Sequence, residues 1–358
     1  METISFKQRT IDFWKAFGEK EKNIRQMIDN RAEADDLVGE LNKIIQTAFN
    51  DVAFEVGHNG EKHELTLSPN GNKTVLKQIQ YLLGNRPEHV DSLWNFYEAK
   101  PAMGTEGMGL SIYGKNITAE DFIVYTDLNE EKKIMDIEVY VPKLDDLEEN
   151  HKYNALFIML DLFIGEFYTM EYIGFVDIIE VEKRADVESI PLSKLHAYIN
   201  YLIEENDWNK TKDPSAQYTA YQATPNTESD KLRDDVFIGY TSCFDIIRQL
   251  SDDEIYPLDS IAEDGVYMGY IYYNNENIED ANMVGQRAEI EDKIHDITGP
   301  QGIAESTGGA TGHNHSYIDF IIYDLDGFLK VAKDILDEYN FTPKGFKLFN
   351  DSDFNVSF

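Results

Sequence analysis

Hydrophobic and polar positions repeat with two different periods over residues 265–349. Aromatic and β-branched residues occupy alternate positions in 266–273 and 316–323, which predicts two strands. Apolar residues recur at helical spacing in 278–297 and again after Asp324, which predicts two amphipathic helices. Asp324 itself is of a type that caps a helix by accepting backbone N–H bonds.

Two shorter strands complete this unit, at 302–307 and 344–349. The glycine-rich segment 308–312 between two of the strands is expected to turn the chain. The resulting order, β-α-β-β-α-β, is that of the split βαβ or ferredoxin-like arrangement, with both helices on one face of an antiparallel sheet. The opposite face of the sheet is left for a partner, another domain or a ligand.

The first half of the chain mixes helical and strand periods as well. Helices are predicted at 10–31, 35–50, 74–83, 153–168 and 191–205, with strands between them. The polar segment 206–216 contains Pro214 and has no periodicity, so it is the best domain boundary. We therefore predict an α+β protein of two domains, residues 1–206 and 217–358.

The charge balance changes the picture of what this protein binds. The chain carries 67 acidic and 32 basic residues, for a net charge of −35. Because contacts to backbone phosphates need cations, this balance disfavours direct binding to nucleic acid and to an anionic membrane surface. Its functional interpretations are an acidic surface for a basic protein partner, or a nucleic-acid mimic. The alternative is that the charge only keeps the protein soluble.

Neither a secretory signal nor a membrane span is apparent in the sequence, so a cytoplasmic location is expected. The single cysteine, Cys243, excludes an internal disulfide framework. It follows Ser242 at the start of a predicted helix over 242–250, where it is either a nucleophile or a packed small hydrophobe. The glycine-containing segment 100–109 lacks the features of a P-loop and of a dinucleotide fingerprint. We expect it to be an ordinary loop and predict no cofactor.

His313 and His315 are spaced like metal ligands. Residues two apart on a strand point the same way, so both imidazoles could meet one metal ion, with Asp319 or Glu305 as a third ligand. The alternative is a polar hairpin tip in which the histidines cap backbone groups.

Two acids, Asp161 and Glu166, lie in the most apolar predicted helix, with Gly165 beside the second. A buried acid is costly unless it is paired or protonated, so this pair is a site candidate. The alternative is that both side chains reach the helix rim or bind a neighbouring backbone.

Tyrosines crowd the predicted C-terminal sheet, and exposed tyrosines make good interface anchors. The predicted protein-binding surface consists of Tyr267, Tyr270, Tyr272 and Tyr317 with Gly308 and Gly309 of the neighbouring hairpin. The alternative is that these rings pack across strands beneath the other domain.

In element order, acidity and the glycine-rich segment before residues 316–323, the unit 265–349 resembles the family of the regulator of ribonuclease E activity B and related uncharacterised bacterial acidic proteins. The resemblance implies a non-enzymatic binding or regulatory protein. The leading hypothesis is thus a cytoplasmic acidic module, inhibitor- or immunity-like, that binds a protein. The alternative is a metal-dependent hydrolase that uses His313 and His315.

Overall fold

The structure is a computed structural model that describes residues 4–105, 107–183, 187–208, 213–226, 228–243, 246, 258–276, 278–279, 282–351 and 353–358. It is a mixed α and β protein, as the sequence predicts. Most strand pairs are antiparallel. Among the helices within these ranges, none is long and apolar enough to cross a membrane.

The helices within the described ranges are α1 (Phe6–Asp29), α2 (Ala34–Ile45), α3 (Lys73–Gly84), α4 (Glu149–Ile164), α5 (Glu166–Tyr172), α6 (Leu192–Glu205), α7 (Leu258–Glu263), α8 (Met283–Thr298) and α9 (Leu325–Leu336). The strands are β1 (Ala53–His58), β2 (His63–Ser68), β3 (Trp94–Tyr97), β4 (Gly109–Ile112), β5 (Lys115–Thr118), β6 (Ile123–Asn129), β7 (Ile134–Tyr140), β8 (Ile173–Ile179), β9 (Ile190–Pro191), β10 (Thr219–Gln222), β11 (Val236–Thr241), β12 (Tyr267–Asn274), β13 (Ala304–Gly312), β14 (His315–Ile322), β15 (Lys344–Leu348) and β16 (Asn355–Ser357).

The chain divides into two compact units that are not continuous in sequence. Unit 1 comprises Met1–Val52, Gln80–Ser92 and Ser215–Phe358, and unit 2 comprises Ala53–Ile79 and Leu93–Pro214. This differs from the predicted division into residues 1–206 and 217–358. The difference arises because α1 joins the C-terminal part: Phe6 N donates to Gly265 O at 3.2 Å, and Lys7 N donates to Tyr323 O at 3.0 Å.

Unit 2 is built around a four-stranded sheet with the neighbour order β8-β7-β6-β9. Alternate residues of β6 and β7 are apolar, so one face of the sheet buries against α4 and α6. The core there includes Val124, Met135, Ile137 and Val139 from the sheet and Leu156, Met159, Leu160, Leu195 and Ile199 from the helices. A second sheet, in the order β1-β2-β3, and the β4–β5 hairpin belong to the same unit.

Unit 1 contains a seven-stranded sheet with the neighbour order β10-β11-β13-β14-β12-β15-β16. Helices α8 and α9 bury their apolar stripes on one face, in a core that includes Ile290, Ile294, Phe328 and Ala332. The predicted cap is confirmed: Asp324 accepts a hydrogen bond from Gly327 N at the start of α9. The elements β12, α8, β13, β14, α9 and β15 follow one another in that order.

The prediction that residues 308–312 form a turn is wrong, because β13 continues through them and the chain turns at His313 and Asn314. Instead, the glycines allow neighbouring strands to pack closely. A Cβ on Gly308, whose φ is +143°, would lie 2.1 Å from Tyr240 O, and one on Gly309 would lie 2.6 Å from Tyr317 O.

Candidate functional site

The helix predicted over 153–168 is broken into α4 and α5 at Gly165. Gly165 has φ +84° and ψ 147°, a backbone conformation that side-chain-bearing residues rarely adopt. A Cβ at this position would lie 3.0 Å from Ala102 N. The glycine therefore allows the loop that follows β3 to pass close to the junction of the two helices.

Glu166 begins α5 and fixes that loop. Its buried carboxylate accepts hydrogen bonds from Ser68 Oγ at 2.9 Å, from Gly71 N at 3.1 Å and from Lys100 N at 3.0 Å. Glu166 N donates to Lys100 O at 2.9 Å. The sequence left open whether this acid belongs to a functional site or binds a neighbouring backbone. In the structure, the Glu166 carboxylate binds backbone N–H groups of neighbouring segments.

A pocket of about 360 Å³ opens beside this junction, within unit 2. That volume is at the lower end of the range of ligand sites. Most of the lining is apolar or aromatic, and it comes from the end of β3, the following loop, the α4–α5 junction and α6. The lining residues are Phe96, Tyr97, Glu98, Ala99, Lys100, Pro101, Ala102, Ile164, Gly165, Phe167, Tyr168 and His196.

Two ionisable groups, Asp161 outside the lining and His196 within it, have shifted pKa values. Burial, together with the nearby Glu166, raises the pKa of Asp161 to about 6, although Lys100 opposes the shift from 3.9 Å away. Burial also lowers the pKa of His196, which favours the neutral imidazole at pH 7. The ring of His196 lies 4.7 Å from the ring of Tyr168, whose hydroxyl donates to Asn200 Oδ1 at 2.8 Å. The pocket thus combines aromatic walls with three ionisable side chains, Glu98, Lys100 and His196.

The tyrosines of the predicted binding surface are mostly covered. Tyr270, Tyr272 and Tyr317 are buried on the face of the unit 1 sheet opposite α8 and α9, and Tyr267 is half-buried. Gly308 and Gly309 are buried inside β13. The expectation of an open tyrosine face is therefore corrected, because the polar segment before β11 packs against it.

Arg233 is the centre of that packing, and sequence reasoning missed it. Its buried guanidinium contacts both carboxylate oxygens of Asp319, at 2.6 and 3.3 Å, and donates to Tyr221 Oη at 3.0 Å. It also lies 5.1 to 5.2 Å from the ring centroids of Tyr270, Tyr317 and Phe349. Asp319 is thus the counterion of a buried arginine.

The hairpin that carries His313 and His315 is held by Asp235. Asn314 N and His315 N donate to Asp235 Oδ2 at 2.8 and 3.0 Å, and Tyr317 Oη donates to Oδ1 at 2.6 Å. Burial alone would raise the pKa of Asp235, but these hydrogen bonds and one from the His315 side chain outweigh it and lower the pKa to about 2.

The structure does not bring the predicted metal ligands together. In the part of the chain that it describes, His313, His315 and Asp319 are not a set whose ligand atoms all lie within 4.8 Å of one another. His313 is exposed beside the Phe237 ring, whereas His315 faces Asp235 with Nδ1 3.7 Å from Oδ2. Asp319 is fully buried against Arg233, and Glu305 is exposed.

Cys243 is buried, and its N–H donates to Thr241 Oγ1 at 3.0 Å. Its burial fits the packed small hydrophobe better than the nucleophile. Most of the helix predicted over 242–250 lies outside the described residues.

No protein family, no curated protein and no solved structure matches this chain.

Proposed function

We propose that this protein is a non-enzymatic binding module that takes up an aromatic or branched aliphatic side chain of a partner protein in the unit 2 pocket. The pocket itself carries this proposal, because about 360 Å³ of mostly apolar, aromatic-lined space suits one such side chain with its neighbouring backbone. Lys100 and His196 supply polar contacts for that backbone.

Charge and surface composition favour a protein over a free metabolite as the ligand. A net charge of −35 raises the local concentration of cationic partners and repels the many small aromatic ligands that carry phosphate or carboxylate groups. Directly after the lining residues Pro101 and Ala102, the side chain of Met103 is 52 % exposed. Methionine is common at adaptable binding surfaces, so Met103 extends the apolar contact beyond the pocket.

Hydrogen bonds within the chain fix one wall of the pocket in the absence of a ligand. Glu166 holds Lys100 by both its N–H and its carbonyl group, and Leu162 O accepts from Met103 N at 2.9 Å and from Gly104 N at 2.8 Å. A wall fixed in this way loses little conformational entropy on binding, which favours affinity at a small contact area.

We also propose that the region from β12 to β15 is a ferredoxin-like unit with a regulatory role, inhibitor- or immunity-like, in the cytoplasm. The neighbour order β15-β12-β14-β13, with α8 and α9 on one face, supports the fold proposal. The resemblance of residues 265–349 to the family of the regulator of ribonuclease E activity B supports the regulatory one.

A neutral probe distinguishes binding in the pocket from electrostatic attraction to the acidic surface. We expect N-acetyl-phenylalaninamide to shift the methyl resonances of Ala99, Ala102 and Ile164 saturably, with a Kd on the order of millimolar. N-acetyl-alaninamide should leave these resonances in place.

The matched variants are Ala102→Trp, which places an indole at the exposed lining position, and Ala197→Trp, which alters an exposed alanine of α6 outside the pocket. Ala102→Trp should abolish the shifts and Ala197→Trp should retain them. Equal responses of the two variants, or equal shifts with both probes, would show that the pocket does not bind an apolar side chain.

A further inference from the structure

The second face of the four-stranded sheet in unit 2 differs in character from its core face. Since Val124, Met135, Ile137 and Val139 point into the core, the residues between them on β6 and β7 point away from it. On β8, Val176 and Ile178 point toward the core, after a register shift between Ile173 and Val176. Six of the outward residues are here called the Phe175 face: Tyr125, Asp127, Asp136, Glu138, Phe175 and Asp177.

The Phe175 face sets like charges opposite each other. Asp127 pairs in register with Asp136, and Glu138 pairs in register with Asp177. Carboxylates directly opposite on neighbouring strands repel each other, which is a cost to folding. Tyr153 donates to Asp177 Oδ1 at 3.1 Å, but that hydrogen bond does not neutralise the charge. Lys183 already pairs with Glu138, and a cationic partner on this face would reduce the repulsion that remains.

One cation of the chain, Lys183, already binds at the Phe175 face. Lys183 forms an ion pair with Glu138, and its Nζ lies 5.2 Å from the centroid of the Tyr125 ring. Tyr125 is only 4 % exposed although it points away from the core. An ammonium group held between an aromatic ring and a carboxylate is a recurrent cation-binding arrangement.

Phe175 offers a second ring beside a carboxylate. Its side chain is 68 % exposed, and its N–H donates to Asp136 Oδ1 at 2.6 Å. Gly174 makes this contact possible, because a Cβ at position 174 would lie 2.3 Å from the same oxygen. An exposed aromatic ring beside a carboxylate can hold a cation through both the face of the ring and the negative charge.

We propose that the Phe175 face binds a basic segment of a partner protein, with one lysine or arginine against Phe175 and Asp136 and another at the Glu138–Asp177 pair, of whose two negative charges Lys183 balances one. The net charge of −35 favours this occupant and opposes a second copy of the chain. This surface is separate from the pocket, and the proposal does not depend on the pocket being occupied.

The test is an amide NMR titration of the full chain with the peptide acetyl-Lys-Gly-Lys-Gly-Lys-Gly-Lys-amide at physiological ionic strength. Saturable shifts should concentrate on β7 and β8. Phe175→Ser should weaken binding about three- to five-fold, as expected for loss of an exposed cation–π contact. Phe157→Ser removes another exposed phenylalanine of unit 2 and should change nothing.

Two variants with the same change in charge test the role of the Glu138 carboxylate. Glu138→Gln should weaken peptide binding, whereas Glu149→Gln, at an exposed position of α4, should not. Circular dichroism establishes that each variant is folded. Shifts spread evenly over acidic residues, equal effects of the paired variants, or absent binding would overturn the proposal. So would self-association in sedimentation that Phe175→Ser abolishes, because the face would then hold a second copy.

Discussion

The main chain of Lys100 is held on both sides by Glu166. Lys100 N donates to a carboxylate oxygen of Glu166 at 3.0 Å, and Lys100 O accepts from Glu166 N at 2.9 Å. The same carboxylate binds Ser68 and Gly71. One buried acid thus joins two loops to the start of α5 and fixes a wall of the proposed binding pocket.

Replacing this acid by its amide should cost stability. In Glu166→Gln, the amide nitrogen would face N–H donors, so at least one buried backbone N–H would lose its acceptor. We expect a loss of about 2–3 kcal/mol in the free energy of unfolding, measured by urea denaturation. Glu61→Gln, at an exposed hairpin tip of unit 2, should cost less than about 0.5 kcal/mol. Equal stabilities would contradict the anchoring role.

The loss of stability caused by the close contact at Gly165 can be distinguished from the loss caused by backbone strain. Gly165→Ala and Gly107→Ala both place a methyl group on a residue with positive φ, +84° and +83° respectively. Only at position 165 would the new Cβ press on a neighbour, Ala102 N at 3.0 Å, since nothing lies within 4 Å at position 107. Each variant should lose about 1–3 kcal/mol from strain, and Gly165→Ala should lose more. A smaller loss at position 165, by calorimetry, would count against the packed junction.

Asp161 should make stability depend on pH. Its folded-state pKa of about 6 lies above the unfolded value of about 3.9, so folding favours the protonated acid. The stability from protonation is present below about pH 4 and is lost as pH rises through 6, for a total of about 3 kcal/mol. Asp161→Asn mimics the protonated acid and should be more stable than the natural protein at pH 7.5 but not at pH 4. A difference that does not change with pH would refute the shifted pKa.

The Tyr317 hydroxyl links two buried groups. It donates to Asp235 Oδ1 at 2.6 Å and accepts from Arg233 N at 2.8 Å. Tyr317→Phe leaves both groups without this bond and should cost about 1–3 kcal/mol. Tyr272→Phe removes a hydroxyl of the same sheet that donates to the exposed Asn355, so its cost should be smaller. Chemical denaturation that ranks the two variants the other way would rule out this role.

Elements with strong local patterns could be predicted from the sequence. The strand predicted at 316–323 is β14, and the helix expected after Asp324 is α9 with the predicted cap. In both, the spacing of apolar side chains and one capping residue decide the local structure. Chain reversals were less predictable, because the glycines of 308–312 favour a turn locally, whereas close packing between strands requires them within β13.

The sites depend on contacts between distant segments, which sequence spacing does not encode. Arg233 occupies a polar stretch without periodicity, and only the fold shows that it packs on Tyr270 and pairs with Asp319. The pocket combines the segment after β3, the α4–α5 junction and His196. The one local signal was Glu166 beside Gly165 in an apolar helix. It identified an important position but not its partners.

Site-specific photo-crosslinking in extract of the source cell tests the central claim most directly. The photoreactive amino acid benzoylphenylalanine is placed at position 102, in the lining of the pocket, or at position 197, exposed on α6 outside it. We predict a discrete protein adduct from position 102 that excess N-acetyl-phenylalaninamide suppresses, and no such adduct from position 197. Equal adducts from both positions, or an adduct from position 102 that the competitor leaves unchanged, would contradict binding of a partner side chain in the pocket.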